Sequence, residues 1–127
     1  MTIAEVSKKF DLTADTLRYY ERIGLIPAVG RTGGGIRDYS ESNCGWVEFI
    51  KCMRSAGIPV EALIEYVALF QQGDGTRAAR KQILVEQRDL FFLRMEEMQR
   101  TLQRLNTKIE HYDDGVSAAE HQLTGRE

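Results

Sequence analysis

In the run FIKCMRSAG, residues 49–57, Cys52 stands between two cations, Lys51 and Arg54. A thiol beside cations can ionise below its ordinary value of about 8.5, and the thiolate is the nucleophile. The same thiol, in a row with Phe49, Ile50 and Met53, fits equally as core filling. A second group lies in ADTLRYYERIG, where helical periodicity sets Leu17 and Tyr20 on one face with Gly24 and turns Arg18, Tyr19 and Arg22 away from it. An arginine can fork onto a phosphate or a guanine, and a tyrosine hydroxyl can bond a phosphate. Taken alone, such a face also fits plain solvated surface. A third set, His111, Asp113, Asp114 and His121, has the donors of a hard or borderline metal site. The two histidines are ten residues apart with no ligand-like spacing, and a frayed polar tail without metal is the better reading.

Short helices with sharp punctuation must position these groups. TIAE is a capping box that opens a helix through about Phe10, with Thr2 as the cap and Glu5 at the third helical position. Thr13 can cap a second helix through about Ile23, which Gly24 ends and Pro27 keeps from restarting. Helix, short turn and helix within two dozen residues is a helix-turn-helix. RTGGGIRDYS then reads as a loop and a short strand, Ile36 to Tyr39. Ser40 can cap a third helix from about Glu41 to Ser55, and Pro59 suits the first turn of a fourth through about Gln71. GDGT breaks the chain again, with Thr76 as the next cap.

The longest element runs from about Arg77 to Tyr112. Phe91, Met95, Met98, Leu102, Leu105, Ile109 and Tyr112 alternate at four- and three-residue spacings, and Leu84 extends the row one heptad upstream. A helix of about 35 residues spans roughly 50 Å. That is too long to bury its seam on the small domain before it, so a partner chain is the expected cover. The chain accordingly divides into a mainly α region with the helix-turn-helix and a second helix pair (1–72), a dimerisation helix (76–112) and a disordered tail (113–127).

Bulk properties agree with a small cytoplasmic protein. The 127 residues make one domain with an appendage, no apolar run is long enough to span a membrane, and no signal-peptide pattern opens the chain. The net charge of −2 does not advertise a nucleic-acid partner. Residues 1–60 carry eight Lys/Arg against seven Asp/Glu, and residues 61–127 carry nine against twelve. Only a local basic surface could therefore bind nucleic acid.

Taken together, TLRYYERIGLIP with RDYS downstream resembles the MerR family of bacterial transcription regulators. TIAEVSKKFDLTADTLRYYERIGLIP is similar to the family's helix-turn-helix and RTGGGIRDYS to its wing. VEFIKCMRSAGIPVEALIEYV is similar to its second helix pair, and the heptad helix to its dimerisation coil. The resemblance implies a winged helix-turn-helix homodimer joined by an antiparallel coiled coil. It implies a palindromic operator in double-stranded promoter DNA, distorted so that RNA polymerase can use it, and hence mainly activation. By position it places Thr13, Thr16, Arg18, Tyr19, Tyr20 and Arg22 of the second helix at the DNA. Tyr20 packs while reaching toward a phosphate, and Arg37 and Tyr39 of the wing grip backbone. The triple glycine departs from the commoner wing loop, so no contact is assigned to it.

Cys52, between wing and coil, resembles the position of a cysteine in a short AdhR/NmlR-like subgroup associated with aldehyde, other electrophile and nitrosative stress. That resemblance implies a sensor thiol; the alternative is a regulator answering to a metal or another signal, with Cys52 structural. Cys44 has no counterpart in the subgroup. If both cysteines lie in the third helix, eight residues separate them by about 12 Å along its axis, beyond the roughly 7 Å that a disulfide tolerates between Cα atoms. A small thiol enzyme is a remote alternative, since no histidine precedes residue 111 and no CxxC or nucleotide loop occurs.

Overall fold

The computed structural model describes residues 1–112. Its elements are α1 (Ile3–Phe10), α2 (Ala14–Ile23), β1 (Gly30–Arg31), β2 (Arg37–Asp38), α3 (Glu41–Ser55), α4 (Val60–Gln71), a 3-10 turn (Asp74–Thr76) and α5 (Arg77–Glu110). Compactness divides the chain into two units, Met1–Gln87 and a second from Arg88 onward, with the division falling inside α5. The mainly α class and the small wing are as expected from the sequence. The frayed tail and the residues Asp113, Asp114 and His121 lie outside the described residues.

Local chemistry explains the element boundaries. The Thr2 hydroxyl accepts from the Glu5 amide at 3.1 Å, and the Glu5 carboxylate accepts from the Thr2 amide at 2.8 Å. Together they satisfy two of the orphan donors at the start of α1. Thr13 caps α2 by accepting from the Thr16 amide at 3.0 Å. Gly24 ends α2 at φ +84°, a left-handed conformation that side chains with a Cβ rarely adopt. Ser40 and Asn43 form a second capping box at α3: the serine was legible as a cap, and its partner Asn43 was not. Pro59 stands one residue earlier than expected, at the N-cap of α4 rather than in its first turn. Its fixed φ suits that junction as well, and its missing amide costs nothing there.

The wing is a two-stranded antiparallel ladder pairing Gly30 with Asp38 and Arg31 with Arg37. The sequence showed its second strand, but the first strand, Gly30–Arg31, was not anticipated. The ladder is too short to show alternation. Its turn closes through the Thr32 amide on the Ile36 carbonyl at 2.8 Å, with Gly35 at φ +80°.

The core of the first unit gathers one stripe from each helix: Val6 of α1, Leu17 and Tyr20 of α2, Val47 and Ile50 of α3, and Leu63 and Val67 of α4. Leu25, Ile26 and Val29, between α2 and the wing, complete it. Truncating Leu17, Leu25, Ile26, Ile50 or Leu63 to alanine would cost about 2–5 kcal/mol, because packed cores relax only partly around a cavity. Trp46 meets Phe49, Tyr66 and Phe70 edge-on, with centroids 4.9–6.2 Å apart, and joins α3 to α4. In α5 no residue is buried.

Candidate nucleic-acid interface

The outward face of α2 is the one the sequence indicates. Arg18, Tyr19 and Arg22 are exposed while Leu17 and Tyr20 are buried. Arg22 lies over the Tyr19 ring at 5.6 Å, so the cation and the aromatic face form one platform. Arg18 is bonded to Asp15 at 2.9 Å, but both side chains are solvated, so this pair holds the guanidinium only weakly. A phosphate or a base edge can therefore compete for it. The Thr13 and Thr16 hydroxyls are bonded to each other at 2.8 Å at the start of the helix.

The wing is tied to this helix by a residue the sequence did not single out. Glu21 accepts from Arg37 Nε at 2.7 Å through one oxygen and from the Val29 amide at 3.0 Å through the other. Burial pushes the Glu21 carboxyl up, but the Arg37 and Val29 hydrogen bonds outweigh it and the net shift is downward. Glu21 thus ties α2 to the wing. The contact joins residues 16 apart in sequence, so helical spacing carried no signal of it.

Two expectations for the wing change accordingly. Arg37 is half-buried and its charge is already paired, so it can offer a phosphate only its remaining donors. Tyr39 is not an exposed backbone grip. Its ring is 2% exposed, because the chain turns inward after β2, where the Tyr39 amide donates to the Met1 carbonyl at 2.8 Å. Burial raises its hydroxyl's pKa and keeps it protonated. Tyr20 is likewise packed, and burial, partly opposed by Arg54, raises its pKa. The exposed wing cation is Arg31, which donates to the Gly35 carbonyl at 2.8 Å; the sequence reading passed over it.

Cys52 is exposed near the end of α3, so in this chain it is not core filling; Ile50 has that role. Both flanking cations are occupied elsewhere. Lys51 donates to the Phe10 carbonyl at the end of α1, and Arg54 donates to the Ile58 carbonyl at 2.6 Å. Cys44 is buried one helical turn into α3, and both thiols are free, as the 12 Å separation expected along one helix requires. Among the described residues no three His, Cys, Asp or Glu side chains come together as a metal site. No described helix is long and apolar enough to cross a membrane.

The heptad residues Leu84, Met95, Met98, Leu102, Leu105, Ile109 and Tyr112 are exposed, and Phe91 is half-buried. Leu90, Phe92 and Leu93 are exposed as well; at about 100° per residue Phe92 flanks the seam, whereas Leu90 and Leu93 lie round the helix from it.

Comparison with known proteins agrees with this architecture. Residues 1–69 match the MerR HTH family regulatory protein family, and residues 45–108 match the MerR DNA-binding family. The chain is 62% identical over 88 residues to the HTH-type transcriptional regulator AdhR of Bacillus subtilis, a match that takes in 69% of this chain and 63% of AdhR. It is 32% identical to the HTH-type transcriptional regulator ZntR of Escherichia coli, over 82% of this chain and 77% of ZntR. A crystal structure of a MerR family transcriptional regulator from Listeria monocytogenes superposes with a TM-score of 0.88 at 42% identity, covering 98% of this chain and 95% of that one. HiNmlR, a MerR family regulator lacking the sensor domain and solved bound to promoter DNA, superposes with a TM-score of 0.81 at 26% identity, covering 91% and 92%. The helix-turn-helix, the wing and these matches make the chain a member of the MerR family of DNA-binding transcriptional regulators, which are not enzymes.

Proposed function

We propose that the chain works as a homodimer on an inverted-repeat operator, with α2 in the major groove of each half-site and the wing beside it on the backbone. The observation that carries this is the exposed Arg18–Tyr19–Arg22 platform, held at a fixed angle to the wing by Glu21. HiNmlR bound to promoter DNA supports it by likeness of fold. Two such units joined through α5 would distort the promoter between them, and RNA polymerase would sense the protein through the DNA's shape. The apolar face of α5 supports the second copy. Fluorescence anisotropy with an inverted-repeat duplex across salt concentrations tests this reading. Several phosphate contacts per unit give a steep linear fall of log K with log salt, and a flat response would refute it.

The signal enters, on this reading, through Cys52. Its thiolate adds to an aldehyde or another electrophile, or in nitrosative stress takes the nitroso group of a small S-nitrosothiol, whose own thiolate leaves. Exposure of the thiol and the resemblance to the AdhR/NmlR-like subgroup support the assignment. Cys52 lies on α3, the helix between wing and α4. An adduct there adds bulk to the exposed side of α3, and a contact made in one dimer arrangement but not in another shifts the balance between them. The switch is thus in the bend of the bound DNA, with operator affinity largely kept.

A further inference from the structure

Arg31 is an exposed cation of the wing to which no role has yet been given. It pairs with Arg37 across the ladder, and residues directly opposite in an antiparallel pair carry their side chains on the same face. Arg37 reaches Glu21 of α2 at 2.7 Å, so that face is the one turned toward α2. The Glu21 carboxyl reports the same placement: burial pushes it up, the Arg37 and Val29 hydrogen bonds pull it down, and the charges of Arg37 and Arg31 add to the pull. Arg18 and Arg37 are each paired with a carboxylate, whereas Arg31 forms no ion pair among the described residues. Its guanidinium is held across the turn by the Gly35 carbonyl at 2.8 Å, which leaves the remaining N–H groups of the fork unused.

The tip that carries this cation is thin. Gly35 needs to be glycine, at φ +80°. Gly33 and Gly34 do not: a Cβ on Gly33 would meet nothing within 4 Å, and one on Gly34 only the Thr32 hydroxyl at 3.9 Å. Side chains at 33 and 34 would fit this chain and would obstruct only the approach of a second molecule.

We infer that Arg31 is a minor-groove reader: with α2 in the major groove, the wing tip enters the adjoining minor groove and lays the guanidinium on its floor. This rests on the DNA-bound arrangement proposed above and adds a determinant of sequence to it. The minor groove of B-DNA is about 6 Å wide, so bare backbone enters where a tip with side chains is held out. Its potential is most negative where A·T runs narrow it, and arginine is drawn there. A guanidinium already fixed across the turn loses little freedom on entering. The protein thereby senses the bases flanking each half-site through groove width and the absence of the guanine 2-amino group. Arg37, tied to Glu21, carries no such preference.

The test starts from the inverted-repeat duplex that the full-length protein selects from a random library. Versions are made with A·T, G·C or inosine·C pairs flanking both half-sites. Inosine·C keeps the major-groove face of G·C but presents the minor groove of A·T. Fluorescence anisotropy should show A·T and inosine·C flanks bound alike and G·C flanks about fivefold more weakly, the low end of what one wrong base pair costs. Arg31→Ala should bind all versions alike. Gly33→Val, whose side chain the fold has room for, should lose the same preference, and circular dichroism checks that both variants fold. The inference is overturned if inosine·C flanks behave like G·C, or if the wild type binds every version alike. It is overturned too if either variant keeps the wild-type preference, as a contact to phosphate alone would allow. Failure of the wild type to select or bind any duplex would overturn the DNA-bound arrangement itself, and the inference with it.

Discussion

Replacing Leu102 and Leu105 with aspartate tests whether α5 is a dimerisation helix. Each leucine is 54% exposed in the single chain. Covering the exposed half of a leucine contributes about 1 kcal/mol, half of what full burial does. A homodimer has four such side chains, so their loss removes on the order of 4 kcal/mol. Each aspartate also brings a carboxylate into an apolar seam, at about 2 kcal/mol or more apiece. The combined penalty is on the order of 12 kcal/mol, the whole association energy of a nanomolar dimer. Sedimentation velocity at micromolar concentration should then show the wild type as a dimer and the double variant at the 14.5 kDa of one chain. Operator binding should fall with it, because a lone half-site has too few contacts. A wild-type protein sedimenting as a monomer, or a double variant that remains dimeric, would refute the reasoning.

Other outcomes follow from the interface. Arg18→Ala should reduce discrimination between operator and random DNA by about 1–3 kcal/mol, the worth of one good base contact. Arg37→Ala should weaken both DNAs alike, and competition binding separates the two effects. Glu21→Gln should destabilise the fold by about 2 kcal/mol at neutral pH, the scale of a charged hydrogen bond, read as a lower urea midpoint. Glu21's folded pKa is depressed, so its contribution is present above the unfolded value and is lost as pH falls through the folded one. The gap between Glu21→Gln and wild type should therefore close on acidification, and a pH-independent gap would count against the ion pair. Ser40→Ala removes the α3 cap and should cost about 1 kcal/mol.

The parts legible in the sequence are those whose causes are local. Thr2 with Glu5, Thr13, Gly24 and Ser40 mark helix ends because a cap needs only its next few residues. The apolar face of α5 was legible because a 3.5-residue repeat survives without knowledge of the partner. The outward set on α2 followed from Leu17 and Tyr20 pointing in. What escaped is tertiary: Glu21 meeting Arg37, Lys51 reaching the end of α1, and Tyr39 turning inward behind Met1. Each joins residues 16 or more apart in sequence, and no periodicity encodes such a meeting. Cys52 was ambiguous because Phe49, Ile50 and Met53 share one helix face within about 100° and Cys52 stands just beyond its edge, where only the tertiary packing decides between burial and exposure.

In vitro transcription from an operator-bearing promoter, with wild-type and Cys52→Ser protein and with and without an aldehyde, addresses the signalling role of Cys52 most directly. Both proteins should bind the operator with similar affinity, the aldehyde should raise transcription by the wild type, and Cys52→Ser should stay at the uninduced level. Full induction of Cys52→Ser would contradict a sensor role for the thiol.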